Sequence, residues 1–78
     1  MAELDKILTN VAKAIADHPD AVAVEKSENG DNVLLVLSVD ADDMGRIIGR
    51  HGRIARAIRM VMKAAANKIG KKVTVEIR

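Results

Sequence analysis

Along these 78 residues the apolar side chains change their spacing three times. Each change marks a boundary between helix and strand. Leu4, Ile7, Leu8, Val11 and Ile15 recur every three or four residues, which predicts an amphipathic helix over roughly residues 2–17. Asp5, Lys6, Asn10, Lys13 and Asp17 fall on its other side. His18-Pro19 stops it, because the residue before a proline is steered out of the helical region. From Ala21 the spacing becomes two: Val22, Val24 and Lys26 share one face, Ala23 and Glu25 the other. Ser27 to Asn32 reads as a turn, with Asn29-Gly30 as the hairpin signal. Val33 to Val39 is a second strand, apolar on both faces and therefore central or partly covered on its second side. A helical spacing returns from Met44 to Ile69, and Val73 to Ile77 alternates again.

The long helical stretch is interrupted by Gly49-Arg50-His51-Gly52. Asp40-Ala-Asp-Asp43 supplies a cap and acidic first-turn residues for a short helix carrying Met44, Ile47 and Ile48. Beyond the two glycines a helix of about four turns is expected over roughly 53–69. Its central stripe reads Ile54, Ile58, Val61, Ala65, Ile69, with Arg56, Arg59, Lys63 and Asn67 opposite, and Gly70 as its stop. The order is α-β-β-α-α-β. The first two strands pair as a hairpin, and the last returns parallel to one of them after a helical crossover. The expected fold is a single α+β domain over residues 1–78: a three-stranded mixed sheet with three helices on one face.

Composition narrows the chemistry. Without Phe, Trp or Tyr the core must be aliphatic. Without Cys there is neither a disulfide nor a thiolate metal site, and His18 and His51 lie far apart, so no metal or other cofactor is expected. No apolar run is long enough to span a bilayer, and the N-terminus lacks the pattern of a signal peptide, so a cytoplasmic protein with no membrane role is expected. The formal net charge of +2 conceals a division. Residues 1–43 hold ten acidic side chains against three basic; residues 44–78 hold ten basic against one acidic. The glycine turn lies in the basic half. A basic half suits a polyanion, and equally two oppositely charged faces that attract each other within the fold.

A tight turn without Cβ atoms lets a phosphate backbone come close, and the start of the following helix aims N–H groups at it. Arg46, Arg50, Arg53 and Arg56 supply charge around that turn. Ile47, Ile48 and Ile54 either line an aliphatic groove for bases, with the middle strand as its other wall, or pack in the core. No Gly-Lys-Ser/Thr follows, so this is not a P-loop, and the glycine spacing does not fit a dinucleotide fingerprint. The carboxylates Asp40, Asp42 and Asp43 are explained as a helix cap, and nothing points to catalysis.

Ile47-Ile-Gly-Arg-His-Gly-Arg-Ile54 resembles the signature of KH domains, which bind single-stranded RNA or DNA. The order α-β-β-α-α-β is similar to the type II, bacterial form of that fold. Pro19-Asp20, Asp43-Met-Gly-Arg-Ile-Ile-Gly-Arg50, Arg53-Ile-Ala-Arg-Ala-Ile-Arg59, Lys63-Ala-Ala-Ala66 and the final Val-Thr-Val-Glu-Ile extend the resemblance to the family of small stand-alone bacterial KH proteins of the KhpA (YlqC) type. The resemblance implies a cytoplasmic RNA-binding protein that dimerises and partners a larger KH-containing protein, KhpB (Jag, EloR), linked to cell elongation and division. It implies RNA contacts at Arg46, Ile47, Ile48, Gly49, Arg50, His51, Gly52, Arg53, Ile54 and Arg56. His51 stands where that family more often carries Lys or Gln.

One feature of the long helix exceeds what a single domain uses. At about 100° per residue its apolar positions cover roughly 200°, twice the stripe that packing on one sheet requires. An edge around Ala57, Val61 and Ala64 is therefore expected to meet the same helix of a second copy, or a related KH partner. A different class stays open: a protein-interaction or dimerisation module whose basic face meets an acidic protein.

Overall fold

The computed structural model describes residues 3–78, and of Arg50 the backbone alone. Helix α1 spans Leu4–Ile15, a short 3-10 turn follows at Pro19–Ala21, and the strands are β1 (Ala23–Asn29), β2 (Asn32–Ser38) and β3 (Lys72–Ile77). Between β2 and β3 runs α2, Ala41–Lys68. Its hydrogen-bonding pattern is continuous, yet His51 and Gly52 take φ values of 65° and 66°. Two successive left-handed residues cannot continue a right-handed helix. The run is therefore two helical arms joined at the glycine turn, and with α1 the fold has its three helices. The first residues of the expected 2–17 helix lie outside the described residues.

The sheet order is β1-β2-β3, with β2 central. β1 pairs antiparallel and β3 parallel to β2. Val33, Leu35 and Leu37 of β2 and Val75 of β3 are buried on one face, against Leu4, Leu8 and Ala12 of α1 and Ile47, Ala55, Ile58, Met62 and Ala66 of α2. Helices cover that face alone; Leu34 and Val36, on the other, are half-buried. This is the type II KH arrangement.

Two features depart most from what the sequence predicts. β1 continues through Ser27 and Glu28 to Asn29, so the turn contracts to Gly30-Asp31. The polar residues are retained in the strand because a ladder satisfies backbone groups whatever the side chain. Lys26, on the core-facing side opposite Leu35, reaches Asp5 of α1 at 3.7 Å and Glu28 at 3.5 Å. A charge pointing inward also blunts this edge strand.

The second departure is the phase of α2. Its buried stripe is Ala55, Ile58, Met62, Ala66, not the expected Ile54, Ile58, Val61, Ala65, Ile69. Val61 is 47% exposed. The alanines let the arm sit close on the sheet. Arg59 Nε donates to the Val75 carbonyl at 3.3 Å, fastening the arm to β3. The arm ends as Gly70 suggested: the Gly70 N–H bonds to the Asn67 carbonyl and the Lys71 N–H to that of Ala66, a Schellman closure.

Candidate nucleic-acid interface

The N-terminal arm of α2 begins on a side-chain cap, with Asp40 Oδ1 accepting from the Asp42 N–H at 2.9 Å. Three residues on, Asp43 is 1% exposed. Its two oxygens accept from the backbone N–H groups of Asp17 (2.9 Å) and His18 (3.0 Å). The carboxylate thus closes the chain that leaves α1 and fixes the angle at which the arm departs. These contacts hold its pKa below the ordinary value of 3.8. The Asp17 N–H bond is the largest cause; burial opposes it, while the His18 N–H bond and the charge of Arg46 add to it.

Downstream of this anchor the arm presents Gly45, Arg46 and Gly49 to a cleft of about 460 Å³, completed by Arg53 and Ile54 from beyond the turn. A Cβ at Gly45 or Gly49 would meet nothing within 4 Å. Packing inside the fold therefore does not require glycine at either position; their bareness keeps the cleft wall open. Arg46 is held at its rim, 3.2 Å from Asp17 Oδ2 and 4.0 Å from Asp43 Oδ1.

The structure brings together Arg46, Gly49, Arg53 and Ile54 from the expected set. Ile48 (51% exposed), His51 and Arg56 are on the surface outside the cleft lining, and Gly52 is half-buried in the turn. Ile47 is 1% exposed and belongs to the core, so its side chain offers a ligand no surface. The side chain of Arg50 lies outside the described residues. Nor does the middle strand form a wall: among the described residues the lining comes from α2 alone, since Val33, Leu35 and Leu37 are covered by the helices.

Two contributors escaped the sequence reading. Gly45 lies four residues before Gly49 and so on the same face, a spacing that was legible. Asp43 resembled an ordinary first-turn acid, and only the chain path after α1 reveals its partners. The turn also explains His51: a left-handed φ outside glycine favours Asn, Asp and His.

His18, Asp40 and Asp42 place three potential metal-ligand atoms within 4.8 Å of one another. Asp40 is engaged as the helix cap and His18 Nε2 faces Asp42 at 3.7 Å, so local contacts account for the group. No helix among the described residues is long and apolar enough to cross a membrane.

Residues 5–77 match the family model described as KhpA/KhpB, KH domain. The chain is 48% identical over 77 residues to the RNA-binding protein KhpA of Clostridium perfringens, covering 99% of each chain. It is 45% identical over 74 residues to that of Caldanaerobacter subterraneus subsp. tengcongensis, covering 95% of this chain and 99% of the relative. The fold matches Aquifex aeolicus Era bound to GDP and aluminium fluoride (TM-score 0.66, 21% identity), covering 95% of this chain and 29% of Era. It also matches Era in complex with MgGDPNP and nucleotides 1506–1542 of 16S ribosomal RNA (TM-score 0.67, 21% identity), covering 28% of that chain. At that identity the likeness concerns the fold. The family model and the relatives reach nearly the whole length, and the chain belongs to the KhpA/KhpB KH-domain family.

Proposed function

We propose that the chain binds short single-stranded RNA across the Gly49–Gly52 turn. The observation that carries this reading is the cleft wall: Gly45 and Gly49, where an added Cβ would meet nothing within 4 Å, line it together with Arg46 and Arg53. Such a wall admits a sugar–phosphate backbone at close range and provides cations for it. The relatives' name, RNA-binding protein, supports it. A KH module clamps about four nucleotides. With no aromatic residue, the stacking of about 1–3 kcal/mol per base is missing, so one domain binds weakly and with modest base preference.

Two copies joined through Ala57, Val61 and Ala64 would offset that weakness by avidity. All three side chains are exposed in the single chain. The working protein is then a cytoplasmic homodimer, or a heteromer with a KhpB/Jag-type protein, acting as a post-transcriptional regulator or RNA chaperone in cell elongation and division.

The test is fluorescence anisotropy with short RNA oligonucleotides on the Arg50→Asp/His51→Asp variant. Two carboxylates beside the phosphate path abolish binding while circular dichroism remains native. In the unaltered protein, log affinity falls with log salt at about −0.7 per phosphate contact. Unchanged affinity in a folded double variant contradicts the proposal.

A further inference from the structure

At the far end of the C-terminal arm a second cleft, about 410 Å³, is lined by Lys63, Asn67, Lys71, Lys72 and Val73. Three of these lining residues are lysines. Lys71 Nζ is 3.6 Å from Glu28, whereas Lys63 and Lys72 have no carboxylate within 4.0 Å among the described residues. Like charges gathered in a concave site repel one another, and an arriving anion relieves that repulsion.

An exposed seam connects the two clefts. Arg53, Arg56, Met60, Lys63 and Asn67 follow at alternating three- and four-residue steps, which places them on one face of the arm. All five are exposed. Arg53 belongs to the first cleft, Lys63 and Asn67 to the second. Met60, 66% exposed, stands amid these polar groups as an apolar, polarisable surface on which a base can rest. At about 1.5 Å per residue, Lys63 lies about 15 Å along the helix from Arg53.

We propose that the second cleft is an RNA phosphate-binding site, reached by a strand that leaves the glycine turn and crosses the Arg56–Met60 face of α2. Lysine serves there as a point-charge phosphate ligand. The proposal rests on the reading of the first cleft. It extends the footprint beyond four nucleotides and makes the far lysines matter for long strands alone.

Amide NMR titrations with a four-nucleotide and a twelve-nucleotide oligouridylate read the footprint directly. The short strand shifts the signals of Gly45, Gly49 and Arg53; the long one shifts those of Lys63, Asn67 and Lys72 as well. By anisotropy, Lys63→Glu/Lys72→Glu weakens the twelve-nucleotide complex at least tenfold and leaves four-nucleotide binding, read by NMR, within twofold. The uncharged Lys63→Gln/Lys72→Gln lowers the magnitude of the long strand's salt slope by about 1.4, two contacts at about 0.7 each. Equal losses for both lengths, or none, overturn the second site and leave the first intact. Long-strand binding that needs the lysines but survives Arg50→Asp/His51→Asp overturns instead the route from the glycine turn.

Discussion

Asp43 Oδ1 accepts a 2.9 Å hydrogen bond from the backbone N–H of Asp17, joining the start of α2 to the end of α1 across 26 residues. The anchor is an ionised carboxylate with its folded pKa lowered, so its contribution is present above the ordinary value of 3.8 and disappears as pH falls through the folded value. Asp43→Asn retains the shape but weakens the acceptor. Thermal melts from pH 3 to pH 7 will show the variant less stable than the parent above about pH 4, with the difference shrinking on acidification. A difference independent of pH contradicts the anchor's charge.

The same aspartate segment restrains the cleft. Asp17 Oδ2 lies 3.2 Å from Arg46 Nη1, so incoming phosphate competes with a carboxylate for that guanidinium. Exposed pairs of this kind are worth up to about 1 kcal/mol. Asp17→Asn is expected to tighten RNA binding by up to about fivefold at low salt, with the gain vanishing at high salt. Weaker binding in the variant would show that Asp17 orients Arg46 and does not compete for it.

At the turn, backbone geometry predicts a stability cost. Gly52 has φ 66°, where a Cβ costs about 1–2 kcal/mol. Gly52→Ala is expected to lower the melting temperature by about 4–16 °C. His51→Gly at φ 65° relieves the same strain but adds unfolded-state entropy, leaving a change within about 1 kcal/mol. Calorimetry checks both: a clear loss for Gly52→Ala and at most a small change for His51→Gly.

Much of the fold was legible because its elements carry unambiguous spacing. Val33, Leu35 and Leu37 lie in the central strand, and on the expected face of α1 Leu4 and Leu8 are buried while Ile7, Val11 and Ile15 pack partly buried against the core. The phase of α2 was not legible. The apolar positions of its C-terminal arm span an arc from which several stripes can be drawn, and the left-handed entry at His51-Gly52 together with the closure at Gly70 selects one. For the same reason, whether Ile47 or Ile48 enters the core depends on the direction of the arm, which Asp43 sets through contacts distant in sequence.

The outward phase leaves Val61 beside Ala57 and Ala64, the surface proposed for self-association. Val61→Glu is expected to keep the fold, because the side chain points away from the core, and to shift the species in sedimentation equilibrium from dimer to monomer at micromolar concentration. RNA affinity falls with the loss of avidity. A folded variant that remains dimeric moves the interface elsewhere.

Gly49→Ala separates the proposed RNA path from the fold, because the two make opposite demands on that position. Gly49 lies in α2 without a positive φ, and an added Cβ meets nothing within 4 Å. Alanine is favoured over glycine in a helix by up to about 1 kcal/mol, so the melting temperature rises by up to about 4–8 °C. The same methyl group projects into the cleft where the RNA backbone is proposed to pass, and affinity for short single-stranded RNA falls about tenfold, a loss of about 1.4 kcal/mol. The expected variant is more stable and binds RNA less well. A variant that is more stable and binds RNA undiminished contradicts the proposed path.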